Sequence, residues 1–291
     1  MALSPEEFVG NIEQFVSVPE VCFKIYEMVE NQNASSVELA EIVCQDASLA
    51  SHVLRVANSS YYGFESRVDT ISRAVSIIGQ RDLQNLVLST SVINAFGVQE
   101  DELINLNQHW VHSLFTGILA RHISSQITPK ILHKERLFVA GLLHDIGQLL
   151  MVKKIPEMMR IVNFRAKQNQ ESWRDCERLV FGLDHGEIGS VLMRQWHFPD
   201  SLQAVAKYHH IPALAKAHNI EVSIVHIADV MAERIFLSNI DNTEQIAKIS
   251  KTAWQVSGLS KPGLAKAISC AKAEFKQAGS AYLPTHLLAN Y

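Results

Sequence analysis

The chain has 291 residues, 47% of them hydrophobic and 19% charged, which is enough apolar material for a substantial core and excludes general disorder. A net charge of −4 excludes a global basic field that would draw nucleic acid, and no specific nucleic-acid signal is present. Cys22, Cys44, Cys176 and Cys270 are far apart and lack paired metal-ligand spacing, which predicts reduced, buried thiols and a cytoplasmic setting. The residues from Met1 to Glu7 lack the basic start and apolar run of a secretory signal. No uncharged apolar run approaches the ~20 residues that span a bilayer, so no membrane association is expected.

Periodicity predicts helix nearly throughout, and no stretch alternates with period two for long enough to make a sheet. Ser4-Pro5-Glu6-Glu7 supplies a capping serine, Pro at the first helical position and early acids, which predicts a helix toward Phe15. Ser35 and Glu38 form a capping box for a helix through Val43. Leu49, Val53, Leu54, Val56 and Ala57 continue at helical spacing until Asn58-Ser59-Ser60 stops them and Tyr61-Tyr62-Gly63 turns the chain. A helix from Thr70 ends at Ile78-Gly79, and Leu83, Leu86, Val87, Ile93 and Phe96 mark the next, which closes at Gly97. Pro129, Pro156, Pro199 and Pro212 punctuate the following helices, and Gly258 and Pro262 break a C-terminal pair that carries Trp254, Leu264 and Phe275.

The expected fold is all-α, a multi-helix bundle. The polar stretch Gly97 to Glu102 suggests a division into an N-terminal helical part (1–100), a helical core (101–240) and C-terminal packing helices (241–291). Trp110, Phe115 and Trp196 fit core positions, and Arg55 and Asn58 fit helix capping and local hydrogen bonding.

The functional signal lies in Gly141 to Leu150, GLLHDIGQLL, where His144-Asp145 interrupts an apolar run. Buried polar groups need partners, since an unsatisfied one costs roughly 1–3 kcal/mol. The partners on offer are His112, His185, the doublet His209-His210 and Asp229, each in or beside an apolar helical segment. Imidazole and carboxylate suit zinc, iron or manganese, and this set is sufficient for one or two divalent metal ions. Adjacent helical residues point about 100° apart, so His144 and Asp145 reach one ion only if other helices contribute the remaining ligands. In that arrangement His112, His144, Asp145 and Asp229 make a first site, and Asp145 bridges to a second held by His185 and His209, or His210 if the helix phase is shifted. His52, His122, His133, His197 and His218 have no comparable setting and are expected to be ordinary surface or capping residues.

The order His112, His144-Asp145, Asp229 resembles the pattern of the HD superfamily of metal-dependent phosphohydrolases. The likeness extends to its HDOD group through Val18-Pro19, Asp46-Ala47-Ser48-Leu49, Leu54 to Ser59, Ile71 to Val75 with Ile78-Gly79, His109 to Ser113, Ala140 to Gly147, Phe181 to His185 and Trp196 to Pro199. The resemblance implies a helical HD-type scaffold and a signal-transduction role, with a signalling protein or a nucleotide as the partner. His185 and His209/His210 are similar to the further ligands of two-metal phosphodiesterases in that superfamily. That likeness implies the alternative, a phosphohydrolase acting on a nucleotide or cyclic dinucleotide. There two ions about 3.5–4 Å apart would activate a hydroxide and clamp the phosphoryl oxygens, with Asp145 as the catalytic residue that orients the nucleophile. Gln148 stands where that branch usually has a lysine for the substrate phosphate, and Ile211-Pro212-Ala213 replaces its Gly-Tyr-Pro segment. Both departures favour the signalling role.

Overall fold

Capped, apolar-striped segments become helices as their residues dictate. The computed structural model describes residues 4–10, 20–30, 34–58, 67–96, 106–127, 134–237, 246 and 248–283, and all regular structure among them is helical. Phe15, Val18-Pro19, Ser59-Ser60, Tyr61-Tyr62-Gly63, the acidic stretch 97–102, Pro129 and His133 lie outside the described residues.

The chain gathers into two compact units, one of Met1–Val16 with Gln99–Ala267 and one of Ser17–Val98 with Ile268–Tyr291. The second unit contains α2 (Glu20–Glu30), α3 (Ser36–Val43), α4 (Ala47–Ala57), α5 (Ile71–Ile78) and α6 (Gln80–Phe96). Helix α3 begins with the expected capping box, in which Glu38 N donates to Ser35 Oγ and Ser35 N to Glu38 Oε2. Helix α4 starts one residue after Asp46, whose carboxylate accepts from Ser48 N and Leu49 N and so caps the helix. Asn58 ends it by donating to Leu54 O and pairs in both directions with the backbone of Val68, which is the local role expected of it. Cys22 donates to Ser91 within this unit, and the thiols are all free, as expected, although Cys44 is exposed rather than buried.

The first unit starts with α1 (Pro5–Val9), shorter than the expected helix toward Phe15 because Gly10 turns out of it at φ 54°. Its main body is α7 (Leu106–Ser124), α8 (Lys134–Leu143), α9 (Ile146–Lys154), α10 (Pro156–Asn169), α11 (Trp173–Phe181), α12 (His185–Gln195), α13 (Asp200–Tyr208), α14 (Asn219–Leu237) and α15 (Lys251–Ser257). Helix α16 (Lys261–Tyr282) follows the Gly258 break; its residues through Ala267 are counted with this unit and those from Ile268 with the other. Helix α7 packs on α8 and α14, α9 on α12, and α12 on α13. Trp110 and Phe115 on α7 and Trp196 at the end of α12 are buried, in keeping with core roles.

Two of these crossings depend on glycine. A Cβ on Gly117 would stand 2.5 Å from Phe138 O, and one on Gly141 would stand 2.7 Å from Gly117 Cα, so α7 and α8 touch backbone to backbone. A Cβ on Gly147 would meet His185 O at 2.0 Å, which places the start of α9 directly on the start of α12. These contacts bring His112, His144 and His185 toward one point. No helix among the described residues is long and apolar enough to cross a membrane.

Candidate metal centre

His144 and Asp145 occupy the break between α8 and α9, not consecutive positions within one helix as the apolar run suggested. The chain turns at the pair, so the two side chains are free of the helical 100° offset and face the same interior. Asp145 stands at the N-cap of α9 with φ −100° and ψ 14°, yet its carboxylate makes no capping bond and is left for the site. His185 is the first residue of α12, fixed by the Asp184/Glu187 capping box before it. His209 caps the end of α13 and His210 follows, while His112 and Asp229 project from α7 and α14.

The seven residues converge in two adjoining clusters, His112, His144 and Asp229 in one and Asp145, His185, His209 and His210 in the other. Both members of the histidine doublet therefore face the site. In the first cluster Asp229 Oδ1 lies 3.1 Å from His112 Nε2 and 3.5 Å from His144 Nε2. In the second, Asp145 Oδ1 lies 3.2 Å from both His185 Nε2 and His209 Nε2. The other oxygen of Asp145 is 3.3 Å from His144 Nε2, so this carboxylate joins the clusters. His210 Nε2 lies 2.9 Å from His185 Nε2, and its Nδ1 is 4.0 Å from Asp229 Oδ2.

The outer nitrogens of three rings are already committed. His144 Nδ1 donates to Gly141 O at 2.7 Å, His209 Nδ1 to Ala206 O at 2.8 Å, and His185 Nδ1 to Glu177 Oε2 at 2.6 Å. Each bond fixes the ring orientation and turns Nε2 inward. His144 Nε2, His209 Nε2 and Asp145 Oδ1 are enclosed and make no well-aligned hydrogen bond, only the ion-pair contacts above. Buried polar atoms seldom remain unpaired, and three of them converging is a donor set suited to a divalent cation.

Electrostatics agree. Burial pushes the His144 ring down, but Asp145 and Asp229 beside it more than reverse that and raise it to about 10. Burial likewise opposes the charge on His185, whereas Glu177 and Asp145 lift it well above the ordinary range. Asp145 and Asp229 are held well below the usual carboxylate range by the imidazoles despite the burial that works against them. Burial and the neighbouring His209 and His185 rings push His210 down to about 2, so it is neutral. Positive charge thus takes a place among the carboxylates even without an ion.

Three buried residues beside the site escaped the sequence pattern. Glu177, wholly buried, accepts from both His185 Nδ1 and His185 N. Its signal was an acid on the stripe Trp173, Cys176, Glu177, Val180, where helical spacing puts apolar residues. His226 donates from Nδ1 to His209 O and accepts from Ser250 N at Nε2, so it braces the doublet and cannot ligate. His109 is buried one turn before His112, and burial pushes it down to about 3. Of the histidines expected at the surface, His52 is half-buried with an enclosed Nε2, and burial lowers it to about 4.

The sequence profile of the HDOD domain matches residues 15–212. A protein of Treponema pallidum (strain Nichols), named only as uncharacterized, is 25% identical over 239 residues, which cover 81% of this chain and 45% of that protein. The chain thus spans less than half the length of this relative. Among solved structures, an HDOD domain protein of Geobacter sulfurreducens superposes with a TM-score of 0.79 at 20% identity, covering 95% of this chain and 97% of that one. A protein of Shewanella amazonensis SB2B, named provisionally as a phosphohydrolase, gives 0.76 at 22% identity, covering 95% and 98%. One of Marinobacter aquaeolei VT8, named provisionally for signal transduction, gives 0.77 at 20% identity, covering 97% and 61%. At these identities the likenesses establish the fold. The profile match spans more than half of the sequence, so this chain belongs to the HDOD domain family.

Proposed function

We propose that the chain is a signal-transduction protein whose HD-type centre holds one or two divalent metal ions, iron, manganese or zinc, and whose partner is a signalling protein or a nucleotide ligand. The observation that carries the metal assignment is the convergence of the enclosed Nε2 atoms of His144 and His209, neither of them in a well-aligned hydrogen bond, on Asp145, with the opposite ring nitrogens already bonded. His112, His144 and Asp229 would hold one ion, and Asp145, His185, His209 and His210 the other. The name of the Marinobacter structure supports the signalling role.

A second role, phosphoester hydrolysis, is favoured by one feature, the position of Asp145 between the two clusters. A bound pair of ions would supply Lewis-acid polarisation of phosphoryl oxygens and acidify a water. The chain's own contribution would be to hold Asp145 as an ionised acceptor, to keep His210 neutral at the partly exposed rim, and to exclude water behind His144. Against it stands Gln148, whose amide donates to Asp145 Oδ2 at 3.3 Å and brings no positive charge for a phosphate.

Elemental analysis of the purified protein tests the main assignment. About two equivalents of metal are expected, falling in His144→Ala, and full occupancy in that variant would sink the site. Exposure to phosphodiesters then separates the roles, with binding and no turnover expected. Metal-dependent hydrolysis abolished by Asp145→Ala would establish the enzyme instead.

A further inference from the structure

The inward-facing histidines are not supported alike. His144 and His209 lean on backbone carbonyls, of Gly141 and Ala206, which are neutral acceptors. Of the three Nδ1 acceptors, only that of His185 is a carboxylate, and Glu177 is wholly enclosed in the first unit. Both hydrogen bonds to it, from His185 Nδ1 at 2.6 Å and from His185 N at 2.9 Å, land on the same oxygen, Oε2. The other oxygen, Oε1, is buried with no partner. Among the described residues, the carboxylate thus has one ion-pair partner, the His185 ring, and through that ring it reaches the Asp145, His185, His209 and His210 cluster.

We propose that Glu177 is a positioning residue that sets the metal affinity of this second cluster alone. By accepting the Nδ1 proton it leaves Nε2 as the nitrogen that would ligate an ion, and its charge makes that nitrogen a more basic donor than a carbonyl-backed imidazole. In the first cluster the ring of His144 has only the Gly141 carbonyl behind it, so the two clusters are chemically unequal. This inference rests on the metal assignment above.

The two bonds on one oxygen make a clean test possible. A glutamine at 177 retains an oxygen for both donors and turns its amide toward the partnerless side, so E177Q removes charge while keeping shape and hydrogen bonds. The full-length wild type and E177Q are stripped by chelation and titrated with Zn²⁺, alone and with H112A added to disable the first cluster. Zinc held by the second cluster is expected to weaken about 10–100-fold in E177Q, with the first cluster unchanged. In the metal-free proteins, the His185 Nδ1 proton is expected far downfield in NMR spectra of wild type and less so in E177Q.

Unchanged zinc affinity in E177Q, or equal weakening of both clusters, would overturn the role of Glu177 and leave the metal assignment standing. Absence of the downfield proton from the wild type would do the same. A wild type that takes up no zinc would overturn both. Should E177Q fold poorly, E177D keeps the charge, and partial recovery of second-cluster affinity over E177Q at matched stability supports the role, whereas no recovery overturns it.

Discussion

Gly147 carries the tightest steric demand in the centre, because the atoms facing it, His185 O at 2.0 Å and Gly189 N at 2.8 Å from a built Cβ, are backbone and cannot swing aside. Gly147→Ala is expected to cost about 3 kcal/mol or more, and to lower metal content by pushing His185 away from Asp145. Wild-type thermal stability in that variant would show that α9 and α12 separate freely. The same residues set a pH response. In the metal-free protein His144 is raised to about 10 from 6.5, so its contribution to stability is complete below about pH 6.5 and lost as pH rises through about 10. Asp145 and Asp229, held low, contribute above about pH 3.8 and lose that contribution as pH falls through their lowered values. An ion must displace the protons from His144 and His185, so affinity should rise with pH, with about one or more protons released per ion at pH 7. Calorimetric titrations in buffers of different ionisation heat measure that number, and zero release would refute the protonated metal-free centre. At this scale the sequence was legible where residue chemistry is unusual for its setting, as with His144-Asp145. It hid Glu177, because an acid in a helix is ordinary until its neighbours are known.

Among the elements, α1 shows how a short helix is kept. Its five residues are too few to persist alone. They are held by a capping box at Ser4, by the Glu6–Arg194 ion pair at 2.7 Å, by Gln195 donating to Gly10 O at 3.0 Å, and by Lys154, which donates to Phe8 O and Val9 O. The lysine satisfies carbonyls that a helix end leaves open and lies 5.2 Å from the centre of the Phe8 ring. Lys154→Met should destabilise the docked helix by about 1 kcal/mol, discounted from the value for a buried charged bond because Lys154 remains partly in water. Amide exchange at Gly10 should quicken several-fold while that at Leu142 stays as it was, and uniform exchange would assign no such role to Lys154. The sequence announced the start of α1 through Ser4, Pro5 and Glu7, but its length was misjudged. Gly10 in a positive-φ conformation ends it, and only the docking site decides that conformation. The α8–α9 break was hidden for a similar reason, since Leu142 to Leu150 keeps an apolar pattern across it.

For the whole molecule, metal and stability are linked. An ion bound only by the folded state at 100 times its dissociation constant adds about 2.7 kcal/mol, which for a unit of this size is about 5–10 °C in Tm. Chelation should lower the transition by that amount in wild type and by less in Asp145→Ala, and a chelator-insensitive wild type would mean that no ion supports the fold. The increased exchange on chelation should be confined to the unit of Met1–Val16 and Gln99–Ala267, which contains every proposed ligand. Sequence by itself determined the helical class, the caps, the family pattern and the candidate residues of the centre, because periodicity, capping chemistry and rare polar residues in apolar runs are local properties. Only the tertiary structure decided that Asp145 joins two clusters, that both His209 and His210 face inward, that Glu177 and His226 brace them, and that Met1–Val16 groups with the ligand-bearing helices. Each of those depends on helix crossings between residues distant in the chain, and those crossings are set by backbone contact at Gly117, Gly141 and Gly147, which no local pattern encodes.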